Sequence, residues 1–274
     1  MTLVPFPGKS IVPAPRRDDP EEEAPESASS GAMSFLEHLD ELRRRIVHAA
    51  IAVGVGVVAA FFFHQPIYDF VFEPTRKVLP AGSQMMYNEP GEAFSLHIQI
   101  ALIAGLVVAA PYVMYQVWRF IAPGLYANEK RFAVPFVLFS TIGFLTGAAF
   151  NHYVAFPFMM AFFASFNSDD LLFLPKISPV FSLYTKFLIA MGLIFQMPTV
   201  VFFLAKMKVV TARFLAKNLK YAVLIIFIIA AVITPSGDPG TQTVFAAPMI
   251  GLYLISIVIA WLVGPKRIKN PDQV

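Results

Sequence analysis

Ile46-Val-His-Ala-Ala-Ile-Ala-Val-Gly-Val-Gly-Val-Val-Ala-Ala-Phe-Phe-Phe63 is apolar throughout except for His48 and two glycines. A lipid-facing β-strand alternates apolar and polar residues over about 10 positions, and this stretch does not alternate. A helix rises about 1.5 Å per residue, so about 20 such residues cross a hydrocarbon core about 30 Å thick. Backbone N–H and C=O groups meet no water there and must pair within their own segment, which a helix does. The stretch predicts a transmembrane helix and excludes a β-barrel.

Five further apolar runs follow, and the expected spans are 46–66, 93–118, 131–156, 181–206, 218–234 and 242–262. The 274 residues are 57% hydrophobic and 14% charged, with a mean hydropathy of +0.65, too apolar for a soluble domain. The last two spans are short, and Thr234-Pro-Ser-Gly-Asp-Pro-Gly-Thr241 between them is a run of helix breakers that predicts a tight hairpin. Pro111, Pro135, Pro157, Pro198 and Pro248 kink or end helices, which points to a concave bundle. The two longer loops, 67–92 and 157–180, carry prolines and apolar residues and are expected to pack as caps. The fold class is therefore all-α: a polytopic membrane protein with six transmembrane helices.

Residues 1–32 are rich in Pro, Ser and Glu and hold the acidic cluster Asp18, Asp19, Glu21, Glu22 and Glu23, the composition of a disordered tail. No apolar stretch follows the Arg16-Arg17 pair closely enough for a signal peptide. The membrane domain is expected over 33–265, with a second tail over 266–274. Ser34, with Glu37 three residues on, reads as the N-cap of an amphipathic helix bearing Phe35, Leu36, Leu39, Leu42 and Ile46. This helix is expected to lie on the membrane before the chain turns inward.

Lys and Arg decide orientation. Fourteen lie in the N-terminal flank, the second and fourth gaps and the C-terminus, against four (Arg76, Lys77, Lys176 and Lys186) on the opposite side. The positive-inside rule then places both termini in the cytoplasm.

Several functions are excluded. There is no Cys, hence no disulfide or thiolate metal site. No glycine-rich phosphate loop with a following Lys appears, so no nucleotide cofactor is expected. His38, His48, His64, His97 and His152 show no metal-ligand spacing with carboxylates, and no Gly-x-Ser-x-Gly elbow is present, so the chain does not read as an enzyme. The net charge of +3 comes largely from the basic flanks and implies no nucleic-acid partner.

Two stretches can carry binding. In His38-Leu-Asp-Glu-Leu-Arg-Arg-Arg45, carboxylates precede three guanidiniums. One reading is an interfacial helix with Glu41 to Arg45 pairing; the other makes Glu41 a binding carboxylate. The second gap, Tyr115-Gln-Val-Trp-Arg-Phe-Ile-Ala-Pro-Gly-Leu-Tyr-Ala-Asn-Glu-Lys-Arg131, places Glu129 among aromatics and bases. Trp118, Phe120 and Tyr126 read as an interfacial belt or as part of a site. Glu41 and Glu129 fall on the same side of the membrane, so together they can engage two adjacent arginines by charge-assisted, bidentate contacts. Gln196, inside the fourth span, reads as interhelical glue or as part of a polar path.

At these residues the chain resembles the TatC family, the receptor and core subunit of the twin-arginine protein translocase. The likeness rests on His38-Leu-Asp-Glu-Leu-Arg43; on Pro111 through Glu129, with Tyr115-Gln-Val-Trp118 and Phe120-Ile-Ala-Pro-Gly-Leu-Tyr126; and on Thr234-Pro235 with Asp238, Gln242 and Pro248. The resemblance implies that Glu41 and Glu129 contact the arginines of a signal peptide, with Arg43, Phe120 and Leu125 shaping the same cytoplasmic site. It makes Pro74 the outer-loop proline and Pro111 the kink of the second span. Gln196 stands where some relatives carry Glu, and since an amide does not titrate, this weakens a proton relay there. The turn before Asp238 is one residue longer than in some relatives. The implied partners are TatA- and TatB-type single-span subunits, folded cargo bearing twin-arginine signals, membrane lipid and further copies of the chain, in a cell membrane and driven by the proton-motive force. The alternative is a secondary transporter or channel for a small solute, which would show paired charges at mid-depth and internal repeats; neither is visible.

Overall fold

The computed structural model describes residues 26–80, 84–121, 133–168, 173–234 and 238–264, with 26–36 and 133 described by backbone alone. The chain divides into two units, Met1–Glu41 and Leu42–Val274. The elements among the described residues are helices: α1 (Glu26–Phe61), α2 (His64–Val78), α3 (Glu92–Ile121), α4 (Ala133–Phe150), a π-turn (Asn151–Ala155), α5 (Phe156–Ala164), α6 (Ile177–Ile194), α7 (Met197–Lys206), α8 (Ala212–Lys217), α9 (Leu219–Ile233) and α10 (Pro239–Val263).

Among the described residues five stretches are long and apolar enough to cross a bilayer: Glu37–Phe61, Glu92–Ile121, Val134–Ala164, Ile177–Lys206 and Pro239–Val263. α9 is apolar but has 15 residues, about 22 Å at the helical rise. Over its described residues each of the six expected segments is thus mainly helical, and the molecule is an all-α, multi-pass membrane protein.

Four details differ from the expectation. Ser34 is not an N-cap: α1 starts at Glu26 and ends at Phe61. Extending an existing helix costs far less than nucleating a second one. The first span stops at Phe61, Phe62 and Phe63 form a turn, and α2 begins at His64, within the expected span, and runs on through what reads as a loop. Pro66 sits in the first turn of α2, where its missing N–H has no partner to lose, while Val71, Phe72, Pro74 and Thr75 are buried. The third span runs past 156 to Ala164 through the π-turn. Pro157 supplies no N–H and its ring crowds the Tyr153 carbonyl; widening the preceding turn, so that the Phe156 N–H donates to the Asn151 oxygen, relieves this. The fourth span begins at Ile177 and breaks at Phe195 and Gln196, just before Pro198.

In the second unit the main core joins Phe72 of α2, Ile100 of α3, Phe156 and Met159 of α5, Phe181, Tyr184, Phe187 and Met191 of α6, Ala230 of α9, and Phe245 and Met249 of α10. Lipid is as apolar as these side chains, so close fit rather than water exclusion holds the helices together. The fit is tightest where glycines cross. A Cβ on Gly56 of α1 would lie 2.6 Å from the Gly105 carbonyl oxygen of α3, and one on Gly147 of α4 would lie 2.5 Å from the Met191 oxygen of α6.

The described parts of the two longer loops pack, as their composition suggests. The Met86 N–H donates to Pro175 O at 3.4 Å and the Ile177 N–H to Met86 O at 3.0 Å, pairing the two loops through a short bridge. Glu92 adds a second clasp. One carboxylate oxygen accepts from the Asn88 N–H at 2.9 Å, and the other from the Ser178 N–H at 3.3 Å. A carboxylate at the first turn of α6 satisfies an orphan donor and meets the positive end of the helix dipole.

Candidate functional site

Glu41 is half-buried and is the last residue of the first unit; Arg43, two positions on in α1, is exposed. Glu41 and Arg45 are four residues apart on one helical face, the spacing at which such side chains meet. The His48 Nδ1 lies 2.6 Å from the Arg44 carbonyl oxygen. Leu125 and Glu129 lie outside the described residues, as does Tyr126.

The approach to the second gap is well defined. Trp118 is only 3% exposed, so it is no part of an interfacial belt. Its ring packs 5.0 Å from Phe136 of α4 and 5.3 Å from Phe203 of α7, and those two rings are 4.8 Å apart. Three aromatic rings in mutual contact bury large areas and fix the end of α3 against α4 and α7. Gln116, one turn before Phe120, is buried as well. Phe120 itself is half-buried next to the last residue of α3.

The other residues singled out by the sequence form local supports. Pro74 is buried inside α2. Pro111 lies within α3, exposed on the rim of an apolar groove of about 350 Å³ that Tyr115, Val137 and Thr141 also line. The Gln196 Nε2 donates to the Ser140 carbonyl at 2.9 Å and to the Gly192 carbonyl at 3.4 Å, tying the break between α6 and α7 to α4. Asp238 is the N-cap of α10: its carboxylate accepts from the Thr241 N–H at 2.8 Å and from the Thr241 hydroxyl. The Gln242 Nε2 donates to the Phe227 carbonyl at 2.8 Å, closing the hairpin between α9 and α10.

A polar group inside the bundle escaped sequence reasoning. Asn151 and His152 of the π-turn are buried; the Asn151 amide donates to the Tyr184 carbonyl at 3.4 Å, and His152 Nδ1 lies 3.3 Å from the Tyr184 hydroxyl. The His152 ring stacks on Phe70 at 3.8 Å. His152 and Tyr184 face a groove of about 360 Å³ whose other lining, including Ile100, Val107 and Leu145, is almost wholly apolar. The available signal was weak: a proline five residues past a short polar pair. On α2, Arg76 pairs with Asp69 at 2.7 Å and Lys77 with Glu73 at 2.8 Å. The hydrogen bond from Lys77 holds the Glu73 carboxyl below its ordinary value, while burial raises the Tyr68 hydroxyl. Among the described residues no group of three or more His, Asp or Glu side chains is placed to hold a metal ion.

Known proteins resolve what these parts belong to. The family model described as Sec-independent protein translocase protein (TatC) matches residues 37–248. A Sec-independent protein translocase protein TatC from Koribacter versatilis is 43% identical over 240 residues, covering 86% of this chain and 88% of the relative. The protein of the same description from Desulforapulum autotrophicum is 39% identical over 239 residues, covering 87% and 88%. The crystal structure of a twin-arginine translocase receptor, TatC, superposes with a TM-score of 0.70 at 35% identity and covers 82% of this chain and 99% of that one. These coverages span both sequence motifs and the fold alike, and the chain belongs to the TatC family of Sec-independent protein translocase proteins.

Proposed function

We propose that this protein binds twin-arginine signal peptides of folded cargo at the cytoplasmic face of the cell membrane and nucleates a translocation complex driven by the proton-motive force. Membership of the TatC family carries the reading, since a solved relative is described as the twin-arginine translocase receptor. The residues supply a mechanism. Glu41 and Glu129 grip the two guanidiniums through charge-assisted hydrogen bonds, each carboxylate accepting from the two-pronged edge of one arginine. Arg43 sets the local charge, and Phe120 and Leu125 flank the dipeptide with apolar surface. A lysine offers one point charge in place of the fork, so a double-Lys signal binds less well. The excess of Lys and Arg in the N-terminal flank, the even-numbered gaps and the C-terminus supports cytoplasmic termini and puts both glutamates on the side from which cargo arrives.

The partners in this reading are TatA- and TatB-type single-span subunits, with several copies of the chain in one complex. A small-solute transporter, the alternative raised by the sequence, finds no support among these relatives. The test is a pull-down of the full chain with a twin-arginine peptide and its double-Lys counterpart. Capture by the first and poor capture by the second is expected. Equal capture by both would contradict the assignment.

A further inference from the structure

Lys186 counts from the sequence among the four bases on the side opposite the termini, and it stands nine residues into the span Ile177–Lys206, on the exposed face of α6. That face consists of Pro179, Ser182, Lys186, Ile189 and Leu193, while Phe181, Tyr184, Phe187 and Met191 turn into the core. No ion pair or hydrogen bond joins Lys186 to another described residue. An ammonium left in hydrocarbon is costly, so it needs an anion or a route to the interface.

Its depth selects the anion. The span has 30 residues, about 45 Å at the helical rise and about 15 Å longer than the hydrocarbon core. With the surplus shared between the two ends, the Lys186 Cα lies about 6 Å inside the hydrocarbon. Helical side chains lean toward the N-terminus of their helix, and an extended lysine stem of about 6 Å therefore lifts the ammonium to the headgroup boundary. Ser182 lies one turn nearer that boundary on the same face and offers a hydroxyl donor. On the deeper side the stripe continues as the aliphatic Ile189 and Leu193, 38% and 63% exposed. A charge and a hydroxyl at headgroup depth above an aliphatic strip match a phospholipid better than a second helix bearing a buried carboxylate, which would have to place its acid at the same shallow level.

We propose that Ser182 and Lys186 form a binding site for the phosphate of an anionic membrane lipid, with an acyl chain lying along Ile189 and Leu193. The site is independent of the peptide-binding reading, because both leaflets present phosphates and none of its residues lies in the signal-peptide motifs. The test is native mass spectrometry of the full chain with added phosphatidylglycerol or phosphatidylcholine, comparing wild type, Lys186→Gln, Lys186→Arg and, as a control at the other end of the span, Lys208→Gln. Lys186→Gln should lower phosphatidylglycerol occupancy about fivefold, the scale of one basic residue near a membrane surface. Lys186→Arg and Lys208→Gln should leave it unchanged, and phosphatidylcholine should respond to none of them. Equal phosphatidylglycerol occupancy in wild type and Lys186→Gln would overturn the site. So would retained lipid together with loss of a co-purifying single-span subunit from Lys186→Gln, which would assign the lysine to a partner's carboxylate.

Discussion

Gln196 donates from one amide nitrogen to two backbone carbonyls, on Ser140 and Gly192, so its environment is built to receive hydrogen-bond donors. An ionised carboxylate has none to give. Gln196→Glu therefore places negative charge opposite two carbonyl oxygens in a membrane-spanning segment, where no donor offsets it. The expected outcome is a variant that loses about 1–3 kcal/mol at pH 8, read as a lower melting temperature in detergent; melting identical to wild type would contradict it. At this scale the sequence is informative where a side chain acts on its neighbours in the chain, as Asp238 does in capping Thr241. It is silent where partners are remote: Glu92 and Ser178 are 86 positions apart, and nothing local marks Glu92 as the clasp of two loops.

Among the elements, α1 is held in an unusual way. Of its residues from Leu42 onward only Gly56 and Ala60 are buried, and Gly56 meets Gly105 of α3 backbone to backbone. A side chain on Gly105 would collide with the backbone of Val57, which cannot swing aside as a flexible side chain would. Gly105→Val should force the two helices apart and cost about 1–3 kcal/mol, read as a lower melting temperature in detergent. An unchanged melt would show that α1 is held elsewhere. The apolar segments themselves are legible because their lengths match the bilayer. α2 is not, because Pro66 and Pro74 read as breakers although one falls in the first turn and the other is packed in the core. The π-turn is equally hidden, since Pro157 reads as the end of a span when the helix accommodates it by one wider turn and continues to Ala164. Trp118 shows the limit of composition: an aromatic near a span end is as compatible with a lipid belt as with the ring cluster it forms with Phe136 and Phe203.

For the whole molecule, the orientation signal is legible in the sequence as fourteen Lys and Arg in the flanks and even-numbered gaps against four on the opposite side. The short hairpin of α9 and α10 is closed by its own Gln242 to Phe227 hydrogen bond, leaving the neighbouring Thr243 exposed. If this hairpin receives single-span subunits, Thr243→Arg should abolish their co-purification while the melting temperature stays within a few degrees of wild type; retained co-purification would move their site elsewhere. The central claim is that two carboxylates from separate segments grip an arginine pair. Its most direct measurement is the affinity of a twin-arginine peptide and its double-Lys form for wild type, Glu41→Ala, Glu129→Ala and the double variant, all in lipid nanodiscs. The account predicts that each single variant weakens twin-arginine binding by about tenfold or more, the worth of one charge-assisted contact, and that the double variant no longer prefers arginine over lysine. A double variant that keeps the full preference would contradict it.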